Sequence, residues 1–129
     1  MSGKYLLDTN IVIALFANDV AVVEQIRDAD EVLIPTIVIG ELYYGAQRSG
    51  RVKPNIERID EFAAGNVVLN CDVETAKRYG EIKDGLRKKG CPIPENDIWV
   101  AALALQYDLT LASRDEHFGQ VANLNVVRW

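Results

Sequence analysis

The chain has 129 residues, 49% of them hydrophobic and 26% charged, the make-up of one globular α/β domain with material for a real core. Its net charge of −5 argues against a broad basic face of the kind that coats duplex DNA. No apolar run reaches the length of a membrane span, and the start, Met1-Ser2-Gly3-Lys4, carries no signal-peptide pattern, so a cytoplasmic protein without membrane contact is expected.

In chain order, Lys4 to Leu7 reads as a strand. Asn10 to Ala17 reads as a helix, with Ile11, Ala14 and Leu15 on one face at i, i+3, i+4 spacing. Asn18-Asp19 opens a second helix over Ala21 to Ala29 by capping it. Glu31 to Ile34 is a strand stopped by Pro35, and Thr36 is expected to cap a helix running to about Arg48, ended by Ser49-Gly50. Pro54 suits the first turn of a helix reaching Ala64 and stopping at Gly65, and Val67 to Leu69 is a third strand. Asp72 caps a long helix from Val73 to about Lys88, closed by Gly90 after a basic last turn. Cys91-Pro92-Ile93-Pro94 must be irregular, because proline disfavours helix in the residue before it. Glu95 to Tyr107 is a helix with Ile98, Ala101, Ala102 and Leu105 on one stripe; Leu109 to Ala112 and Leu124 to Val127 are the last strands. Apolar strands alternating with helices specify a mostly parallel central sheet flanked by helices, in one domain over 1–129. Cys71 and Cys91 show no CxxC and no paired histidine, which reads as two reduced thiols.

Four acids carry the functional signal: Asp8, Glu41, Asp97 and Asp115. Asp8 and Asp115 follow strands, so both belong at the carboxyl edge of the sheet, where open parallel sheets bind ligands. Glu41 stands in the second turn of the helix after the second strand, within the apolar stretch Ile37 to Tyr44. Asp97 stands in the first turn of its helix, which a right-handed crossover into the next strand would bring to the same edge. Taken singly, Asp8 with Thr9-Asn10, Asn96-Asp97 and Asp115 each also read as turn or cap residues; the case for a site rests on the conjunction. A cluster of carboxylate oxygens is what Mg²⁺ or Mn²⁺ selects, and without the ion at least one of the carboxylates should titrate high.

At these residues the chain resembles the PIN-domain ribonucleases, and more narrowly the VapC toxins of VapBC-type toxin–antitoxin pairs. Leu6-Leu7-Asp8-Thr9-Asn10 resembles the opening motif of that family, and Thr36 through Glu41 its second. Pro94-Glu95-Asn96-Asp97 with Ile98 and Ala101 is similar to the third, and Ser113-Arg114-Asp115-Glu116-His117-Phe118 to the fourth. The likeness spans Tyr5 to about Val127, and it departs at Arg114, where the family is often small or polar. It implies Asp8, Glu41, Asp97 and Asp115 as the acidic site, with Thr9, Asn10, Thr36, Asn96 and Ser113 as supporting polar residues. It also implies cleavage of single-stranded or structured RNA, a cognate antitoxin that blocks the site, and a homodimer.

The chemistry expected of such a site is hydrolysis assisted by Mg²⁺ or Mn²⁺. Asp8 and Asp97 are the expected direct ligands. Glu41 and Asp115 are expected to bind a second ion, hold metal-bound waters or steer the nucleophile. Arg48, Arg51, Lys53, the run Arg87-Lys88-Lys89 and Arg114 are candidates for a basic rim that holds RNA, although the Arg87 run alone reads as a solvated helix end. His117 is the only histidine; this removes metal-free cleavage by a histidine pair, and the residue reads as surface or packing near the site. Tyr43 or Tyr44 is expected in a groove beside the acids, contacting a partner helix; full burial of both rings would exclude that. Two other functions fit the same residues: a non-catalytic RNA- or protein-binding module, and a Mg²⁺-dependent phosphatase using Asp8 as nucleophile. Against the phosphatase, the position two after Asp8 is Asn10 rather than an acid.

Overall fold

Short apolar runs closed by turn residues become five strands: β1 (Lys4–Leu7), β2 (Glu31–Pro35), β3 (Val67–Leu69), β4 (Thr110–Ala112) and β5 (Val126–Val127). The computed structural model describes residues 3–129; Met1 and Ser2, where the N-terminal run begins, lie outside the described residues. The strands form one sheet in the order β3-β2-β1-β4-β5, and every pair in it is parallel. β1 connects forward to β2 on one side while β4 returns to its other side, with Leu7 beside Ala112. The order therefore reverses between β1 and β4, and the crevice at their carboxyl ends is where such a sheet takes a ligand.

Six helices flank the sheet: α1 (Thr9–Phe16), α2 (Val20–Asp28), α3 (Thr36–Gln47), α4 (Val52–Ala64), α5 (Val73–Lys89) and α6 (Glu95–Gln106). Among the described residues no single helix is long and apolar enough to cross a membrane. α6 buries Ile98 and the whole run Val100 to Ala104, the pattern of a helix covered on nearly all sides. Its alanines let neighbouring elements come close, and α6 runs antiparallel to the strands, so its first turn lies at their carboxyl ends. The core joins Leu6, Leu7, Ile11, Ile34, Val38, Leu103, Leu111 and Phe118. Each such side chain contributes roughly 1.5–3 kcal/mol by leaving water.

Two expected caps are not made. Pro35 is the N-cap of α3, with no side-chain bond to the helix. β2 runs through Pro35, which leaves Thr36 one position too late to cap; its hydroxyl donates instead to the Leu69 carbonyl of β3 at 3.0 Å. Pro94 likewise takes the N-cap of α6, so Asn96 and Asp97 are inside the helix and their side chains are not spent on capping. α5 behaves as its sequence reads. Asp72 accepts from the Thr75 N–H at 3.1 Å in a reciprocal capping box, and Gly90 closes the helix at φ 69°, a left-handed value that glycine adopts at no steric cost. β4 and β5 are shorter than their apolar runs. The Leu109 N–H turns back to the Ala104 carbonyl at 2.9 Å, ending α6 rather than joining the sheet.

Candidate active site

Asp8 directly follows β1 and is the N-cap of α1. Its cap reading holds for one oxygen only: Oδ1 accepts from the Thr9 N–H at 2.9 Å. Oδ2 accepts from the Ser113 hydroxyl at 2.7 Å and from Asn10 Nδ2 at 3.4 Å. The Ser113 hydroxyl accepts in turn from the Asp115 N–H at 3.0 Å, and Asn10 Oδ1 accepts from the Arg114 N–H at 3.1 Å. These bonds lock the ends of β1 and β4 together. Asp8 is only 4% exposed and Ser113 2%.

Asp97, 9% exposed, enters from the first turn of α6. Asp115 starts a short 3-10 turn (Glu116–Gln120) without making a side-chain cap bond, and Phe118, in the same turn, is buried. Phe118 anchors the turn in the core, which aims the residues on either side of it at the crevice. His117 Nε2 contacts Asp97 Oδ2 and lies 3.0 Å from Asp115 Oδ2. One ligand atom from each of Asp97, Asp115 and His117 lies within 4.8 Å of the others. Sequence reasoning set His117 aside as a surface or packing residue. The signal that could have found it is its place one residue before a core-anchoring phenylalanine and two after an acid.

Glu41 comes in from α3. Its Oε1 accepts from the Thr9 hydroxyl at 2.8 Å, and the residue is partly exposed. The crevice thus collects Asp8, Asp97 and Asp115 with His117, and Glu41 joins through Thr9. Asp97, Asp115 and His117 bring ligand atoms within 4.8 Å of one another. Asp8, expected from the sequence as a ligand with Asp97, lies in the same crevice, close enough for its charge to act on Asp97. Thr36 is not among the carboxylates; its hydroxyl is turned to β3 and Asn70. Asn96 is exposed and lines a groove with Thr9, Glu41 and Tyr44.

Burial pushes the Asp8 carboxyl above its ordinary value, against the lowering effect of the Ser113 and Thr9 bonds. Asp97 is raised as well, first by burial and then, against the lowering effect of its His117 contact, by the negative charge of Asp8. Two of the carboxylates are therefore raised, chiefly by burial and only secondarily by the crowding of like charges that the sequence suggested. Among the described residues no lysine or arginine forms an ion pair with Asp8, Asp97 or Asp115; the sole basic partner is His117. This is a site short of positive charge, with oxygen donors suited to a divalent cation.

The basic candidates separate by their partners. Arg48 reaches the Tyr44 hydroxyl at 3.2 Å and lies over its ring; Tyr44 is 63% exposed. Arg51 and Lys53 are exposed. Arg87 and Lys88 pair with Asp84 within their own helix, and Lys89 donates to the Gln120 carbonyl at 2.6 Å. Arg114 binds Asp19 at 2.9 Å and the Trp129 carbonyl at 2.7 Å, so it fastens the end of the chain across α2. Cys71 and Cys91 are free thiols.

The PIN-domain family model matches residues 5–124. The chain is 35% identical over 129 residues to Ribonuclease VapC2 of Haemophilus influenzae, covering 98% of both chains. It is 29% identical to the tRNA(fMet)-specific endonuclease VapC of Shigella flexneri, again over 98% of each. Among solved structures, VapBC2 of Rickettsia felis bound to a fragment of its promoter DNA contains a chain that superposes with a TM-score of 0.87 at 27% identity, covering 98% of both chains.

Proposed function

The chain belongs to the PIN-domain family, and on that premise we propose that it is an endoribonuclease that hydrolyses RNA phosphodiester bonds at the β1–β4 crevice, acting as the toxin of a VapC-like toxin–antitoxin pair. The observation that carries the reading is the set of buried, hydrogen-bonded acids Asp8 and Asp97 facing Asp115, with no lysine or arginine paired to them among the described residues. A single nuclease domain over 1–129 and a cytoplasmic setting go with it.

Asp97 and Asp115, with Asp8 and Glu41 around them, would hold Mg²⁺ or Mn²⁺. Bound there, such an ion lowers the pKa of a water and offsets the charge that grows on the phosphodiester. The protein's own part is orientation. Ser113 and the Thr9 N–H fix Asp8, and the Thr9 hydroxyl holds one oxygen of Glu41. Glu41 and Asp115 are partly exposed, so an attacking water can reach them and be oriented by their free oxygens. Tyr44 and Arg48 form a half-open rim on which an unpaired base can stack while the guanidinium meets phosphate. Arg51 and Lys53 extend that rim. Arg87, Lys88, Lys89 and Arg114 are already engaged within the protein and contribute less to RNA binding.

A cognate antitoxin would seat beside the acids. An apolar groove lined by Ile13, Phe16, Leu42, Ala46 and Ile59 ends at Glu41 and Arg58, and Ile13 is 55% exposed. A helix with an apolar stripe fits it, and a basic side chain extended from that helix would meet the carboxylates. Tyr44 is exposed and Tyr43 half-buried, so the full burial of both rings that would exclude a partner contact does not occur. A homodimer accompanies this reading.

The phosphatase alternative finds no support at Asp8, whose two oxygens accept hydrogen bonds in a nearly closed setting. The deciding experiment is cleavage of a structured RNA mixture, tRNA included, by partner-free protein in Mg²⁺ or Mn²⁺, in EDTA and with Asp97→Asn. Cutting that needs the ion and vanishes in the variant is expected. RNA binding without cutting, equal in all arms, would favour the binding-module alternative.

A further inference from the structure

His117 is more than a neighbour of the acidic site. Its Nε2 meets Asp97 Oδ2 and Asp115 Oδ2 at 3.0 Å, and the three donor atoms lie within 4.8 Å of one another, a span that one cation can bridge. The ring is held by its chain neighbour Phe118, which is fully buried and lies 5.5 Å away ring to ring. No lysine or arginine forms an ion pair with either carboxylate among the described residues. A site of oxygen donors alone suits Mg²⁺, which keeps its waters and prefers oxygen. Adding an imidazole nitrogen moves the preference toward first-row transition ions.

We propose that His117 supplies a nitrogen ligand to a metal position formed with Asp97 and Asp115, so that this position prefers Mn²⁺ to Mg²⁺. The inference rests on the metal-dependent nuclease reading and adds the donor that sets its ion preference. Had His117 only a supporting role, holding the two carboxylates by hydrogen bonds, its nitrogen would stay outside the coordination sphere.

The test uses tag-free full-length protein loaded with Mn²⁺ and examined by pulsed EPR for coupling to an imidazole ¹⁴N. His117 is the only histidine in the chain, so a coupled imidazole nitrogen has one source. Titrations with Mn²⁺ and with Mg²⁺ are run on wild type and His117→Gln. Expected are a nitrogen coupling in wild type that is lost in the variant, and a fall in Mn²⁺ affinity of about 10-fold or more with a smaller change for Mg²⁺. Bound Mn²⁺ without nitrogen coupling in wild type would overturn the inference and leave the nuclease reading intact. No binding of either ion would overturn both. The wild-type spectrum decides even where the variant fails to fold.

Discussion

Asp8 shows how a site residue opposes the fold that holds it. Burial raises its pKa, so at neutral pH the ionised carboxylate destabilises the native state. As pH falls through the raised native value, the folded protein takes up a proton that the unfolded chain does not, and this component of stability grows until the pH is below the ordinary 3.8. Asp19 and Asp72 work the other way. The Arg114 bond holds Asp19 low and the Thr75 N–H holds Asp72 low, so their contributions are present above 3.8 and lost as pH falls through the native values. Asp8→Asn should therefore raise the melting temperature at neutral pH while abolishing cleavage, and the gap to wild type should close as pH is lowered. Melting curves from pH 7 to 4 check it; a gap that widens on acidification would refute the burial argument. Ser113→Ala should act oppositely, because it strips Asp8 Oδ2 and the Asp115 N–H of a shared buried partner. A loss of about 1–3 kcal/mol is expected, read from urea unfolding. The acids stood out in the sequence through their conjunction at one edge of the expected sheet, since Asp8, Asp97 and Asp115 taken singly also read as turn or cap residues. The bridging role of His117 was not, since one histidine on a short turn gives no periodic signal.

At the scale of elements, what the sequence specifies best is what local chemistry decides alone. The cap at Asp72 and the left-handed stop at Gly90 are both set by neighbours within a turn, and both formed. Gly90→Ala should cost about 1–2 kcal/mol, because an L side chain is strained at φ 69°. It should also reduce activity more than that loss explains, since Gly90 begins the Cys91–Pro94 link that aims Asp97. The control is Gly85→Ala in the helix interior, where added methyl meets open space and stability should hold or rise. Equal losses at both positions would remove the conformational argument. The misread caps at Thr36 and Asn96-Asp97 have one cause. In each case a proline precedes the helix and takes the N-cap, displacing the polar residue inward. Strand ends at Leu109 and Leu124 were overread because apolar character continues past the last backbone pair, and pairing is decided by the neighbouring strand rather than by the run itself.

At the scale of the molecule, the alternation of strands and helices fixes a parallel sheet, but only its order puts β1 beside β4 and so makes Asp8 and Asp115 neighbours. Sequence predicts the edge on which both lie; the reversal between them is a property of the whole chain. That reversal gathers negative charge in a protein whose net charge is already −5. Asp8 and Asp97 are raised chiefly by burial, with a further upward push from neighbouring acids, and among the described residues no lysine or arginine pairs with them. A cation that binds only the native state should then stabilise the whole fold by mass action, about 2.7 kcal/mol at a hundred times its dissociation constant. For a chain of this length that is a rise in melting temperature of roughly 10 °C. Differential scanning calorimetry with Mn²⁺, with Mg²⁺ and with NaCl at matched ionic strength separates specific binding from screening. The shift should appear with the divalent ions alone and shrink sharply in Asp97→Asn, whose apo form should start from a higher melting temperature because it no longer buries that charge. An undiminished shift in Asp97→Asn would place the ion elsewhere on the acidic surface and break the link between the crevice and metal.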